Sequence, residues 1–173
     1  MCRPRARPAT TSPNGATTAP TTTTGRDVAK KVPGRKRGLA VDVLGLVIAV
    51  VVLAASAHEN TAGIALLDQA AVVTEGSVTR ALVDQGFKNT VVANDASLGI
   101  AVDIVERNPA DKGFVPSQKR WVVEQTYGIL MFHRRLIRDY EHRPARSESR
   151  VYWAMTDVMS RRLTSATPSW RWT

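Results

Sequence analysis

The longest apolar run of the chain, residues 39–56, is broken by Asp42 and Gly45. LAVDV (39–43) and LVIAVVVLAAS (46–56) are rich in Val and Ile, which predicts a β-hairpin with a tight turn and two largely buried strands. Next, TAGIALLDQAAVV (61–73) sets Ile64, Leu67 and Ala71 at helical spacing behind Thr61 as N-cap, predicting a short amphipathic helix. RALVDQGF (80–87) predicts a strand ending at Asp84, and NTVVANDASLG (89–99) a short helix stopped by Gly99. IAVDIVER (100–107) predicts another strand, followed by a loop rich in Pro and Gly. From Ser117 the pattern is helical through SQKRWVVEQTYGILMFHRRLIRDYE (117–141). A last amphipathic helix is expected over 147–163, closing on Arg161 and Arg162, a favourable charge for a helix C-terminus. Strands alternating with helices place the chain in the α/β class.

The two ends lack such patterning. Residues 1–25, rich in Pro, Thr, Ala and Gly, hold no periodic apolar positions and are expected to be disordered. Residues 26–38 read as a basic arm, and 164–173 as a tail. That leaves 39–163 as the folded part of a 173-residue chain.

Charge sharpens this division. The formal net charge is +9 and the pI about 10.4, which favours a polyanionic partner, although a basic protein can also use its charge for solubility alone. Up to Gly38 there are nine Lys and Arg against one acid, Asp27. Within this arm Lys30, Lys31, Arg35, Lys36 and Arg37 are candidate phosphate contacts. A single cysteine, Cys2, excludes a disulfide framework and a cysteine-based zinc site. His58, His133 and His142 are too scattered for a metal-ligand spacing.

The basic cluster before an apolar run that ends in Ala55-Ser56-Ala57 also fits a membrane anchor or an export signal. Fifteen uncharged residues, 43–57, rise about 1.5 Å each as a helix and fall short of a hydrocarbon core of roughly 30 Å. Extending the span to residue 39 brings in Asp42. Gly45 and the β-branched content favour two strands.

Three acids stand where chemistry is possible. Asp42 lies in the first hairpin strand. Asp84 ends a strand just before Gly86, the position at which α/β sheets present ligand groups, and also one at which Asp caps turns. Glu124 lies in the long helix. At about 100° per residue, Val122, Ile129, Phe132, Leu136 and Tyr140 share one sector, widened by Val123, Leu130 and Ile137. Arg120, Glu124, Arg135 and Arg138 share the opposite one. Such a column is either a solvated face with an Arg120–Glu124 pair or a metal-binding carboxylate among guanidinium groups that hold DNA phosphates.

The segments RDVAKKVPGRKRGLAVDVLGL, ALVDQGF, DIVERNPADKGFVPSQKRWVVEQTYGILMFHRRLIRDYE and SRVYWAMTDVMSRRL, in this order, closely resemble bacterial insertion-sequence transposases of the DDE class. The likeness runs from about Arg26 to Leu163. It implies an RNase-H-like mixed sheet with flanking helices, and two aspartates and a glutamate holding two Mg²⁺ ions for phosphodiester cleavage and strand transfer. The second aspartate falls on Asp84 and the glutamate on Glu124, with Arg120 matching a signature arginine. These two carboxylates are therefore the expected catalytic and metal-binding residues. Lys30, Lys31, Arg35, Lys36, Arg37, Arg120, Arg135 and Arg138 are the expected DNA contacts.

Four departures matter. Asp84-Gln85-Gly86-Phe87 replaces an aspartate-glycine-glycine-tyrosine motif, Gln125 follows the glutamate where arginine is common, and Gly38 replaces a common histidine. The family's first catalytic aspartate, carried by the central strand ahead of GRKR, has no match; Asp27 and Asp42 align with non-catalytic positions. The expectation is thus a truncated or decayed, cytoplasmic bacterial domain without its first, central strand, inactive alone. Its partners would be DNA and an intact transposase subunit, with no small-molecule substrate. The alternatives are a non-catalytic DNA-binding or transposase-interacting protein, and a membrane-anchored or exported basic protein.

Overall fold

A computed structural model describes residues 3–8, 19–27, 31–84, 98–105 and 118–164; for 3–8, 84, 105 and 118–120 it describes the backbone alone. The hairpin is its centre. Strands β3 (Pro33–Val41) and β4 (Val47–Ala54) pair antiparallel, from Arg35 opposite Ala54 to Val41 opposite Val47, with an irregularity between Ala40 and Val41. Asp42 makes the turn: its Oδ1 accepts from the N–H groups of Leu44 and Leu46, both at 2.8 Å. Gly45 completes it at φ +77°, where a side chain would be strained.

Because successive side chains of a strand point to opposite faces, the apolar run supplies two cores. Leu39, Val41, Val50 and Val52 meet three helices on one face: α2 (Gln118–Leu130) with Val123 and Leu130, α3 (Arg134–Ile137) with Leu136, and α4 (Pro144–Leu163) with Val151, Ala154 and Met155. Ala40, Ala49 and Val51 meet Ala62, Leu66 and Ala70 of helix α1 (Glu59–Val73) on the other. There a Cβ on Gly38 would lie 2.9 Å from Leu66 Cδ1, so the absence of a side chain lets α1 approach. An adjoining face of α1, through Leu67, covers Ala81 and Val83 of β5 (Arg80–Asp84) and Ile100. Strand β5 pairs parallel with β6 (Ala101–Val105), Asp84 opposite Val105. The result is the expected mixed α/β, RNase-H-like arrangement with flanking helices.

Several boundaries differ from the expectation. Strand β1 (Arg3–Pro8) pairs antiparallel with β3, from Arg3 opposite Val41 to Pro8 opposite Lys36, and lies against β5. A strand partner for β3 is thus supplied by the stretch expected to be disordered, while β5 and β6 form a separate two-stranded sheet. Ladder pairing uses backbone groups, and an open strand edge offers them whatever the side chains. A single 3₁₀ turn (Thr21–Thr23) and the two-residue strand β2 (Gly25–Arg26), paired to β3, also fall within that stretch. The expected basic arm is not free over its last residues, since β3 begins at Pro33 and buries Arg35, Lys36 and Arg37.

The expected long helix breaks at residues 131–133. The N–H groups of Phe132 and His133 bond three residues back, to Ile129 and Leu130, and His133 caps α3. The buried positions of α2 are Val123, Thr126 and Leu130, while Phe132, Ile137 and Tyr140 are exposed. The arginines therefore do not form one continuous column. Helix α1 is capped by His58, whose Nδ1 accepts from Asn60 N–H, rather than by Thr61, and α4 starts at Pro144 rather than at 147. The helix expected over 89–99 and the loop after 107 lie outside the described residues, apart from Leu98 and from Gly99 at φ +67°. The apolar run 39–57 spans two strands, and no helix among the described residues is long and apolar enough to cross a membrane.

Strand β4 ends the sheet, and its outward edge is covered. The Val52 N–H bonds Glu148 Oε1 at 2.9 Å, and the Tyr152 hydroxyl lies against the backbone of Val50. Glu148 and Tyr152 are four residues apart on α4, so one helix face meets alternate edge residues.

Candidate nucleic acid site

Glu124 is positioned by the docking of α2 on the hairpin. Thr126 Oγ1 lies 3.0 Å from Gly45 O and 2.9 Å from Val122 O, and the Tyr127 hydroxyl donates to Arg37 O at 2.7 Å. With Val123 and Leu130 in the core, Glu124 is left half-buried at the flank of the helix. Asp84 ends β5, beside β6 and next to β1. Asp42 is spent on its own turn, in keeping with a non-ligand reading. Asp103, on β6, pairs with Arg80 at 3.0 Å in the open.

The expected DNA-binding cations separate into two groups. Arg35 is fully buried: Nη1 donates to Asp139 Oδ2 (3.2 Å) and Glu141 O (2.8 Å), Nη2 to His142 O (2.9 Å) and the Thr23 hydroxyl, and Nε to Thr23 O (3.2 Å). Arg37 Nη1 donates to Leu136 O at 2.6 Å, while its buried Nε has no hydrogen-bond partner among the described residues. Burial lowers the Arg37 pKa, opposed by the nearby Asp139 and Tyr127. Guanidinium groups engaged in this way hold the protein together and have few donors left for a phosphate. Lys36 is buried as well. Lys31, Arg135 and Arg138 are exposed; Lys30 and the Arg120 side chain lie outside what is described.

Residues 16–156 match the family described as the transposase DDE domain. The chain belongs to that family. No curated protein matches it. Membership supports a function in DNA transposition, with DNA as the partner class. DDE transposases use divalent metal held by carboxylates, so the donors in this chain can be tested for fit. Among the described residues no group of three or more His, Cys, Asp or Glu is placed to hold a metal ion. The strand beside both β3 and β5 reads Arg3-Pro4-Arg5-Ala6-Arg7-Pro8 and contains no acid. Hard divalent cations need several oxygen ligands, and the described donors do not make up such a set.

Sequence reasoning missed Thr126 and Tyr127 as the groups that seat the glutamate-bearing helix. Their spacing to Leu130, i to i+3 and i+4, was a legible signal of a buried stripe; their partners on the hairpin were not.

Proposed function

We propose that this DDE transposase domain engages DNA through exposed cations but does not, by itself, perform metal-dependent phosphodiester cleavage. The observation that supports this reading is that the strand paired with β3 on the side facing β5 reads RPRARP and carries no acid. Asp84 and Glu124 are inherited positions of the catalytic set. A two-ion mechanism needs charge from three carboxylates to hold both cations against their repulsion. Arginine stands at alternate positions of β1, and no carboxylate is available from that strand. Lys31, Arg135 and Arg138 supply DNA contacts, and the working compartment is the bacterial cytoplasm. As a folded domain without cleavage, it can compete with an intact transposase for DNA ends.

A nicking and strand-transfer assay with labelled DNA and Mg²⁺ tests the reading. The expected result is DNA binding without product, unchanged in Asp84→Ala and Glu124→Ala. Product that disappears in both variants overturns it.

A further inference from the structure

Four exposed arginines have neither an ion pair nor a side-chain hydrogen bond among the described residues: Arg134 and Arg138 on and just after α3, and Arg143 and Arg146 at the start of α4. Their neighbours show how exposed cations are otherwise answered. Arg150 Nε lies 2.9 Å and Arg135 Nη1 3.8 Å from the same Glu141 Oε1, which brings the cationic faces of α3 and α4 together. Arg161 pairs with Asp157 at 3.0 Å, and Arg162 bonds Leu44 O at 3.2 Å. The other acids nearby are committed elsewhere: Asp139 to buried Arg35, and Glu148 to the edge of β4.

Two of the four sit where folding disfavours them. Arg143 is the N-cap of α4 and Arg146 lies in its first turn, with no side-chain cap bond and no acid in that turn. Unsatisfied N–H groups give this end of a helix a positive partial charge, so cations are unfavourable there. A local arrangement that opposes folding marks a site answered from outside the chain. From Arg120 onwards the chain contains arginine and no lysine, and guanidinium groups match phosphate oxygens in a bidentate manner.

We infer that the corner between α3 and the start of α4, with Arg134, Arg138, Arg143 and Arg146, is the surface that grips the phosphate backbone of DNA. The inference rests on the proposed DNA reading and names its surface. Arg35 is the positioning residue: by holding Asp139 and the carbonyls of Glu141 and His142 it fixes the loop that joins the two helices.

The test is the full chain titrated onto a fluorescein-labelled duplex of mixed sequence, followed by anisotropy across a salt series. Two charge-matched variants are compared, R143Q/R146Q and R161Q/R162Q. The second pair lies about 22 Å further along the helix at about 1.5 Å per residue, well beyond a screening length of about 8 Å. R143Q/R146Q is expected to weaken binding roughly tenfold and to reduce the salt slope by about two; R161Q/R162Q should change affinity less than about twofold. R134Q/R138Q, on the neighbouring helix, gives an independent copy of the result, and circular dichroism checks the fold of each variant. If the wild type binds DNA and R143Q/R146Q binds equally well, or if both charge-matched pairs lose the same amount, the inference fails and the DNA reading stands. If the wild type binds only phosphatidylserine vesicles, or no DNA at all, both fail.

Discussion

Arg35 and Arg146 carry the same side chain to opposite ends. The guanidinium of Arg35 is closed in by a carboxylate, a hydroxyl and three carbonyls, while Arg146 stands at a helix start with nothing among the described residues answering it. Along the sequence the cluster GRKR looks the more obvious nucleic acid contact, and the RPAR of residues 143–146 looks incidental. The structure reverses this. A buried charge must be paired and hydrogen-bonded, so an arginine inside the sheet acts as a fastener. An unanswered arginine on the surface remains available to a ligand.

Substitutions can break or sharpen this contrast. The largest effect is expected for Arg35→Met, which leaves the Asp139 carboxylate, only 5% exposed, without its counter-charge. Stability in urea should fall by about 3–5 kcal/mol; a loss below about 1 kcal/mol would show that the inner arginine is no fastener. Glu148→Ala comes next. It strips the Val52 N–H of its acceptor, and urea unfolding should show a loss of about 1–3 kcal/mol.

Tyr152 gives a smaller effect, visible only in alkali. Burial raises its pKa above the ordinary 10.0, with Glu148 adding to the rise and the bond from Val50 opposing it. The folded state thus retains the phenolic proton more tightly than the unfolded one. Stability from this group is complete below pH 10 and declines as pH climbs through and above that value. Thermal melts of Tyr152→Phe against wild type over pH 8–11 should show the wild type losing ground only at the upper end. The smallest effect belongs to the outer set. R143Q/R146Q should melt no lower than wild type, and relief of the helix end should add roughly 0.3–1 kcal/mol per arginine. A clear drop in melting temperature would mean that these arginines are structural after all.

Local pattern revealed much of the fold. Val and Ile on either side of Gly45 identified the hairpin, and Leu67 and Ala71 identified α1, because burial imposes a period on apolar positions. Asp84 at a strand end and Glu124 on a helix face stood out by position, but their catalytic role came only from the family likeness. Long-range events were hidden. Nothing in RPRARP announces a strand, since its pairing is contributed by the backbone of β3, and nothing in GRKR says that carbonyls of residues 141 and 142 await it. The helix break at 131–133 was equally silent, for it follows from where Leu136 must pack.

The cover over β4 has a consequence for how copies of this domain can meet. With the Val52 amide donating to Glu148 and Tyr152 lying against Val50, α4 stands where a strand from a second molecule would have to pair. Growth of the sheet sideways is blocked for as long as α4 stays in place. That protection depends on α4 staying packed through Val151, Ala154 and Met155, and residues 138–143 link the helix to the chain before it. A protease cut in that link would leave the helix held by packing alone, and its loss would bare a strand edge prone to aggregation.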